Sequence, residues 1–520
     1  MNAPEVKPAD GLQKLVGNEW HRLAPAAIVH FMVKFVLGVA KNGIQNVAYL
    51  GGIAVFTGDN RWWILGLIAS GALITLIVSG VLAYLSFKFR MEGQSFLIKR
   101  GVLNKKRLTL SFDRIQNVAI KEPIYFRPFG LVALGLESAG SSDEEISLAG
   151  IPRTLAEQIR TTVLQKPAAP AKAKAATKEA VTESQPSQEN EELLLAQPIS
   201  ELVRYGLSNN NIWVIAGLAT GAFFQQAEAW EGAVEDFVRS TVIPVVGDSP
   251  VILGSLLGGV VLFIVLFLMT LSVLGAIIIY YNFRLTFADG RYHRTKGLFE
   301  RQETSVPESK IQSLQINQPW PALLLKRWHI TIKQVGFGKT EHQPGSQRPS
   351  FIIPSVTPEF FRPFTERLLG PIDWGTQLSR VSKRYVWTSF LYWFLPPMVI
   401  AALIIGYFTG TKGFIFPFVF SLVILPTLIL RHRRFGYWTN GKTALVRSGL
   451  IGNQTSAFAF RKVQTVILKQ SPSQRRRDLA TLTIQLAGQT LTIPFMPLED
   501  AAYWRDQILY EAETSKLAWM

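Results

Sequence analysis

The sequence predicts a membrane protein built of α-helical hairpins, about six transmembrane helices in all, alternating with three mainly-β barrel domains, each with a C-terminal helix. Three observations carry that expectation: a motif written three times at fixed spacing, apolar runs of bilayer length ahead of each copy, and basic residues gathered at the helix exits. The motif runs from Gly101 to Gln116, from Gly297 to Gln312 and from Gly449 to Gln464, the same interval each time. A Phe stands at one constant distance before each Gly (Phe87, Phe283, Phe435), and a further Gly at one constant distance after each Gln (Gly140, Gly336, Gly488). An Ile-Pro pair follows in each copy: Ile151-Pro152, Ile353-Pro354 and Ile493-Pro494. Five markers in one order define an internal repeat, and a repeat takes precedence over any local reading.

The 520 residues include 54 Lys and Arg against 37 Asp and Glu, a net charge of +17, together with 33 Phe and 13 Trp. High apolarity with a basic excess fits a membrane protein whose basic parts lie on the cytoplasmic side. A basic chain also suits nucleic acid, but the apolar runs account for the composition, and no nucleic-acid partner is expected. The chain has no cysteine, which excludes disulfides, cysteine-ligated zinc, iron–sulfur clusters and thiol nucleophiles. The six histidines are scattered without ligand spacing, so no metal or other cofactor is expected. There is no Walker-type loop, His-Glu-x-x-His or Gly-x-Ser-x-Gly, and no enzyme is predicted.

In chain order, residues 1–23 form a lead without the short apolar core of a signal peptide, expected to stay in the cytoplasm. Residues 24–87 form the first hairpin, its second helix entering at Trp62-Trp63 and leaving at Lys88-Phe89-Arg90. Aromatic entrances and basic exits suit membrane interfaces. In the first helix His30, Lys34, Lys41 and Gln45 project within about 60° of one another at 100° per residue. This polar stripe is either a functional seam inside a bundle or a face whose lysines snorkel or pair.

Residues 88–165 alternate short β-type segments with Gly and charged turns. They close on a helix carrying Leu155, Ile159 and Val163 at helical spacing. Residues 166–195, rich in Ala, Lys, Pro, Ser and Gln, read as a disordered linker. The pattern then restarts: hairpin 196–281, domain 282–372, hairpin 373–430 and domain 431–512, with a tail at 513–520. The loop of the second hairpin holds Glu228, Glu231, Glu235, Asp236 and Asp248, whereas the third hairpin leaves at Arg431-His432-Arg433-Arg434. The Lys/Arg bias therefore puts all three domains in the cytoplasm and the acidic loop outside. Prolines at 396, 397, 417 and 426 predict kinks in the third hairpin.

Within the motif, the Gly reads as a tight turn or bulge. Gln116, Gln312 and Gln464 either satisfy a backbone edge or contact a partner. The repeated pattern of Gly101, Gln116, Gly297, Gln312, Gly449 and Gln464, each copy behind a hairpin, resembles the bacterial pleckstrin-homology-like (PH-like) domain of YdbS/YdbT-type membrane proteins. The resemblance covers nearly all of the chain apart from its extreme N-terminal lead and the linker. It implies a PH-like fold, a bent seven-stranded antiparallel barrel or sandwich with one C-terminal helix, and no catalytic residues. The third copy departs slightly, with Ser448 between Arg447 and Gly449.

Basic groups follow the motif in comparable places: Arg127, Lys326-Arg327 and Arg475-Arg476-Arg477, and Lys105-Lys106-Arg107 make a cationic tip in the first domain. They are either contacts for anionic lipid headgroups, at about 1 kcal/mol per cation, or a solvated basic face. The expected function is a membrane scaffold presenting three domains to proteins or anionic lipids, a smaller membrane protein with the same domain being one candidate partner. The alternative is a lipid-handling or small-molecule transport protein that uses its helix bundle.

Overall fold

The computed structural model describes residues 20–38, 61–138, 146–164, 191–208, 249–334, 351–410 and 415–515, apart from 94, 102, 103, 113, 114, 375 and 376, together with residues 232, 236, 240 and 244. Two compact units are defined, Met1–Leu194 with Arg284–Val306, and Leu195–Phe283 with Pro307–Met520. Most of the linker, most of the acidic loop, Lys41, Gln45, Gly140 and Gly336 lie outside the described residues.

In the first unit, helix α1 (Ala27–Gly38) and helix α2 (Arg61–Ser86) lead into the first repeat. They approach closely: a Cβ on Gly80 would strike the Met32 side chain. Strands β1 (Lys88–Glu92), β2 (Ser95–Arg100) and β3 (Lys106–Ser111) form an antiparallel meander. Strands β4 (Ile115–Pro123), β5 (Leu131–Ser138) and β6 (Ile146–Pro152) form a second one, followed by helix α3 (Arg153–Leu164). Side chains alternate across a strand, so each meander turns one row inward. Phe96, Ile98, Leu134, Leu148 and Ile151 meet there, under Ile159 and Val163 of α3 and beside Phe87. Strand β7 (Glu192–Ala196) begins inside the stretch read as linker, which ends sooner than its composition suggests. The unit continues with β8 (Arg284–Ala288), β9 (Arg291–Lys296) and β10 (Glu300–Pro307).

The second unit holds helix α4 (Ile199–Ser208), the long helix α5 (Pro250–Tyr280), strand β11 (Ile311–Gln318), the short helix α6 (Trp320–Leu325), strands β12 (Trp328–Gln334) and β13 (Phe351–Val356), and helix α7 (Pro358–Leu369). Helices α8 (Arg384–Phe408) and α9 (Ile415–Arg434) follow. In α8, Phe390–Phe394 winds as a π-helix immediately before Pro396 and Pro397, where two backbone N–H donors are missing. The third repeat comprises β14 (Gly436–Thr439), β15 (Thr443–Ser448), β16 (Asn453–Ala459), β17 (Val463–Lys469), a helical turn α10 (Pro472–Arg475), β18 (Leu479–Leu486), β19 (Gln489–Pro497) and helix α11 (Leu498–Thr514). Its core gathers Phe435, Phe458, Phe460, Leu482, Ile484, Ile493 and Trp504.

Three helical stretches among the described residues are long and apolar enough to cross a membrane: Gly66–Ser86, Gly254–Tyr280 and Arg384–Phe408. The first helices of the first two hairpins fall largely outside the described residues.

The spaced markers are backbone devices. Gly101, Gly297 and Gly449 have φ of 104°, 110° and 152°, and a Cβ on each would strike the carbonyl oxygen of Asn104, Glu300 or Gly452. Only glycine takes such a turn without strain. The glutamine is the slip residue of a β-bulge in every copy: register shifts between Ile115 and Asn117, between Ile311 and Ser313, and between Val463 and Thr465. A bulge bends the strand and tightens its twist, which turns the fourth strand of each repeat. Ile151, Ile353 and Ile493 are 3%, 0% and 0% exposed, as core positions require.

The sheets are not confined to single repeats. In the first unit the strand order is β6-β5-β4-β10-β9-β8-β7. The second half of repeat one and the first half of repeat two thus share a seven-stranded sheet, joined where Glu300–Thr304 face Pro123–Ala119. In the second unit the order is β13-β12-β11-β16-β15-β14, joined where Ser313–Gln318 face Phe458–Asn453. This differs from three self-contained barrels. Arg153 clips the first junction, reaching Glu122 of β4 at 3.2 Å and Glu303 of β10 at 2.8 Å. In the second, buried Lys462 donates to the Ser309 carbonyl at 2.7 Å.

Candidate functional site

At the foot of the first repeat, where α1 and α2 meet the β2–β3 turn, lies a cavity of about 340 Å³. Five elements contribute polar groups. Lys34 comes from α1, Ser86 from the end of α2, Arg100 and Asn104 from the turn around Gly101, and Lys106 from the start of β3. Ser147 of β6 adds a hydroxyl, Phe31, Ala83 and Phe87 supply an apolar wall, and among the described residues no carboxylate lines the cavity. The arrangement follows from local structure. Gly101 turns the hairpin back so that Arg100 and Lys106 face each other across β2 and β3, while Phe87, buried in the core, anchors the exit of α2. Lys34 stands seven residues into α1, about 10 Å along its axis at 1.5 Å per residue. Three cations, one amide and two hydroxyls around an open cavity suit an anion with several acceptor oxygens.

Of the residues singled out in the sequence, Lys34 and Lys106 are brought together here. Lys105 and Arg107 are exposed beside them. Arg100 carries no signal of its own within the turn motif, although a basic residue before the Gly recurs as Lys296 in the second copy. His30 leaves the stripe for another partner: its Nδ1 lies 2.8 Å from the Tyr125 hydroxyl and its ring stacks on Phe126 at 5.9 Å. The equivalent of Arg100 in the second repeat, Lys296, is pulled down to about 7 by burial and by nearby Arg294. In the third repeat the place is taken by Ser448.

The other basic candidates stand apart. Arg127 donates to the Leu298 carbonyl at 2.7 Å. Lys326 closes α6 in the left-handed region, with φ of 50°. Arg327 grips the Glu201 carboxylate with two bonds of 2.9 and 3.0 Å. Burial works to raise the Glu201 carboxyl, but hydrogen bonds from Arg327 and Ser355 and the charge of Arg204 overcome it and hold it down at about 2. Arg475, Arg476 and Arg477 are exposed at the end of α10. Gln312 is fully buried and Gln464 exposed.

A second cavity, of about 590 Å³, lies in the second unit over the β11–β16 junction and gave no signal in the sequence. Its polar lining includes Gln315, Asn317, Thr331, His329, Asn453 and Gln454. Burial pushes His329 down to about 4, so the ring is neutral near pH 7. The Ser355 N–H donates to Nδ1 at 3.4 Å, which leaves Nε2 to donate to the Ser208 hydroxyl at 3.2 Å. This pocket offers amides and hydroxyls rather than charge. Among the described residues no group of His, Asp and Glu is arranged to hold a metal.

Three β-rich repeats, each attached to apolar helices, define an integral membrane protein built from one repeated domain. The chain matches the bacterial PH domain over residues 37–167, 241–351 and 382–512, well over half its length, and it belongs to the bacterial PH domain family. This is not an enzyme family. The chain is similar to the UPF0699 transmembrane protein YdbT of Bacillus subtilis (strain 168), with 25% identity over 519 residues, 95% of this chain and 99% of the relative. No solved structure matches it.

Proposed function

We propose that this chain is a multi-pass inner-membrane scaffold. Its hairpins cross the bilayer about six times, its PH domains stand in the cytoplasm, and the foot of the first repeat holds the phosphate of an anionic lipid headgroup. One observation carries the lipid assignment: Lys34, Arg100 and Lys106 converge from three elements on a cavity that no carboxylate lines among the described residues, beside the end of a helix of membrane-spanning composition. The cytoplasmic orientation is supported by the basic exits Lys88-Phe89-Arg90 and Arg431-His432-Arg433-Arg434.

The test is retention of phosphatidylglycerol by the full chain in detergent, read by native mass spectrometry. At about 1 kcal/mol per cation, Lys34→Gln, Arg100→Gln and Lys106→Gln combined should weaken retention by on the order of 100-fold. Retention equal to that of the parent chain would overturn the assignment. A lipid-handling role draws support from Lys34, which belongs to a bilayer-directed helix rather than to the domain. If lipid moves past this site, Lys34→Gln alone should slow lipid scrambling in proteoliposomes, whereas a scaffold should leave the scrambling rate at background.

A further inference from the structure

Consecutive repeats join by one rule. The third strand of the later repeat pairs antiparallel with the fourth strand of the earlier one. In the first junction Thr304 faces Ala119, and in the second Phe458 faces Ser313. Brought onto the numbering of the first copy through the motif glycines, Thr304 falls at 108 and Phe458 at 110, while Ser313 falls at 117. The two junctions then have the same register. The rule leaves two strands over. Among the described residues β3, the third strand of the first repeat, pairs only with β2, and β17, the fourth strand of the last repeat, pairs only with β18.

Exposure shows what the missing neighbour does. On β11, which has β16 beside it, Gln312 and Ser313 are both 0% exposed. The matching Gln464 and Thr465 on β17 are exposed. A row of unpaired backbone groups on an edge strand is a template for another strand. Here the fitting strand is defined twice over by the protein's own junctions.

We propose that β17 of one chain pairs with β3 of a second copy, continuing between molecules the junction that joins repeats within one. The shared register puts Leu110 opposite Thr465, Thr109 opposite Val466, Leu108 opposite Ile467 and Lys106 opposite Lys469. β-Branched and leucine pairs stabilise a ladder, whereas like charges directly opposite weaken it. The Lys106–Lys469 pair therefore costs this register part of its stability. The contact is heterologous, one edge of each kind per molecule, so it can extend to more than two copies. It shares Lys106 with the lipid assignment, but its test rests on Thr109, Val466, Leu108 and Ile467, which do not line that cavity, so either proposal can fail without the other.

The absence of native cysteine makes the test direct. Full-length chains carrying Thr109→Cys or Val466→Cys are co-expressed, and membranes are oxidised without denaturation. A disulfide-linked pair of chains is expected only in the mixture, and likewise for Leu108→Cys with Ile467→Cys. Adding Lys469→Glu should raise the yield severalfold. The proposal is overturned if both cysteines react freely with maleimide and no linked pair forms. It is equally overturned if the disulfide appears only when both cysteines sit in one chain, which would mean closure within a molecule. Cysteines shielded from maleimide without cross-linking would also sink it, since a different segment or protein would then cover the edges.

Discussion

Replacing Glu201 by Gln tests how the second repeat is tied to the hairpin that precedes it. Glu201 lies in the first turn of α4 and receives two bonds from Arg327, at 2.9 and 3.0 Å, one from Ser355 at 2.6 Å, and the ion pair with Arg204. Its side chain is 15% exposed, so solvent screens these interactions only in part. Glutamine keeps the shape and removes the charge. Charge-assisted bonds contribute about 1.5–3 kcal/mol each at most, and with partial screening a net loss of about 2 kcal/mol is expected. That corresponds to roughly a 30-fold rise in local opening. Hydrogen exchange of the α4 and β12 amides, in the full chain reconstituted in nanodiscs, reads this directly.

The pH dependence has a definite sign. The folded carboxyl is held below its ordinary value of 4.5, at about 2, so its contribution is complete above pH 4.5 and disappears as pH falls toward 2. The difference between parent and Glu201→Gln should shrink over that window. Exchange in the variant within threefold of the parent at pH 7 would refute the reasoning, and would return Arg327 to the pool of cations available to lipid.

Gly297→Ala should destabilise the second repeat by about 1–3 kcal/mol, because φ of 110° and the Glu300 carbonyl leave no place for a Cβ; thermal unfolding in detergent would register it as a lower midpoint. Lys296→Met should stabilise the fold, since the buried ammonium is held at about 7 against an ordinary 10.5. The folded state sheds this proton before the unfolded chain does, so the parent gains stability as pH rises from 7 to 10.5. The advantage of the variant should be greatest below pH 7 and fade toward pH 10.5 in urea titrations; an advantage independent of pH would count against the buried-charge account.

The repeat was legible because its markers are fixed by backbone geometry. A positive φ demands Gly101, Gly297 and Gly449, and core depth demands Ile151, Ile353 and Ile493. Such needs recur at constant spacing, so one sequence suffices to find them. The sharing of sheets was not legible. A strand such as β10, with polar residues early and buried ones late, satisfies its pattern equally well beside a neighbour from its own repeat or from the one before. Nor could Arg327 be told from Arg475 by composition. Both sit at or just past the end of a short helix, but Arg327 meets Glu201, 126 positions away, while Arg475 is exposed. The basic cavity needed the same long-range information, since Lys34 on α1 and Lys106 on β3 come together only in the folded chain.

The shared sheets also bear on how the protein can be cut. The gene is written in frames of hairpin plus domain, but the strands are knitted in a frame displaced by half a domain. Excising the middle copy at its apparent borders severs a ladder on each side and bares both cut rows. A fragment that begins after β3 and ends at the corresponding place one repeat later would keep its ladder whole, although it matches no boundary visible in the sequence. Truncations designed from domain borders should therefore yield sticky, poorly soluble pieces, and the displaced frame is the one in which to look for a portable module.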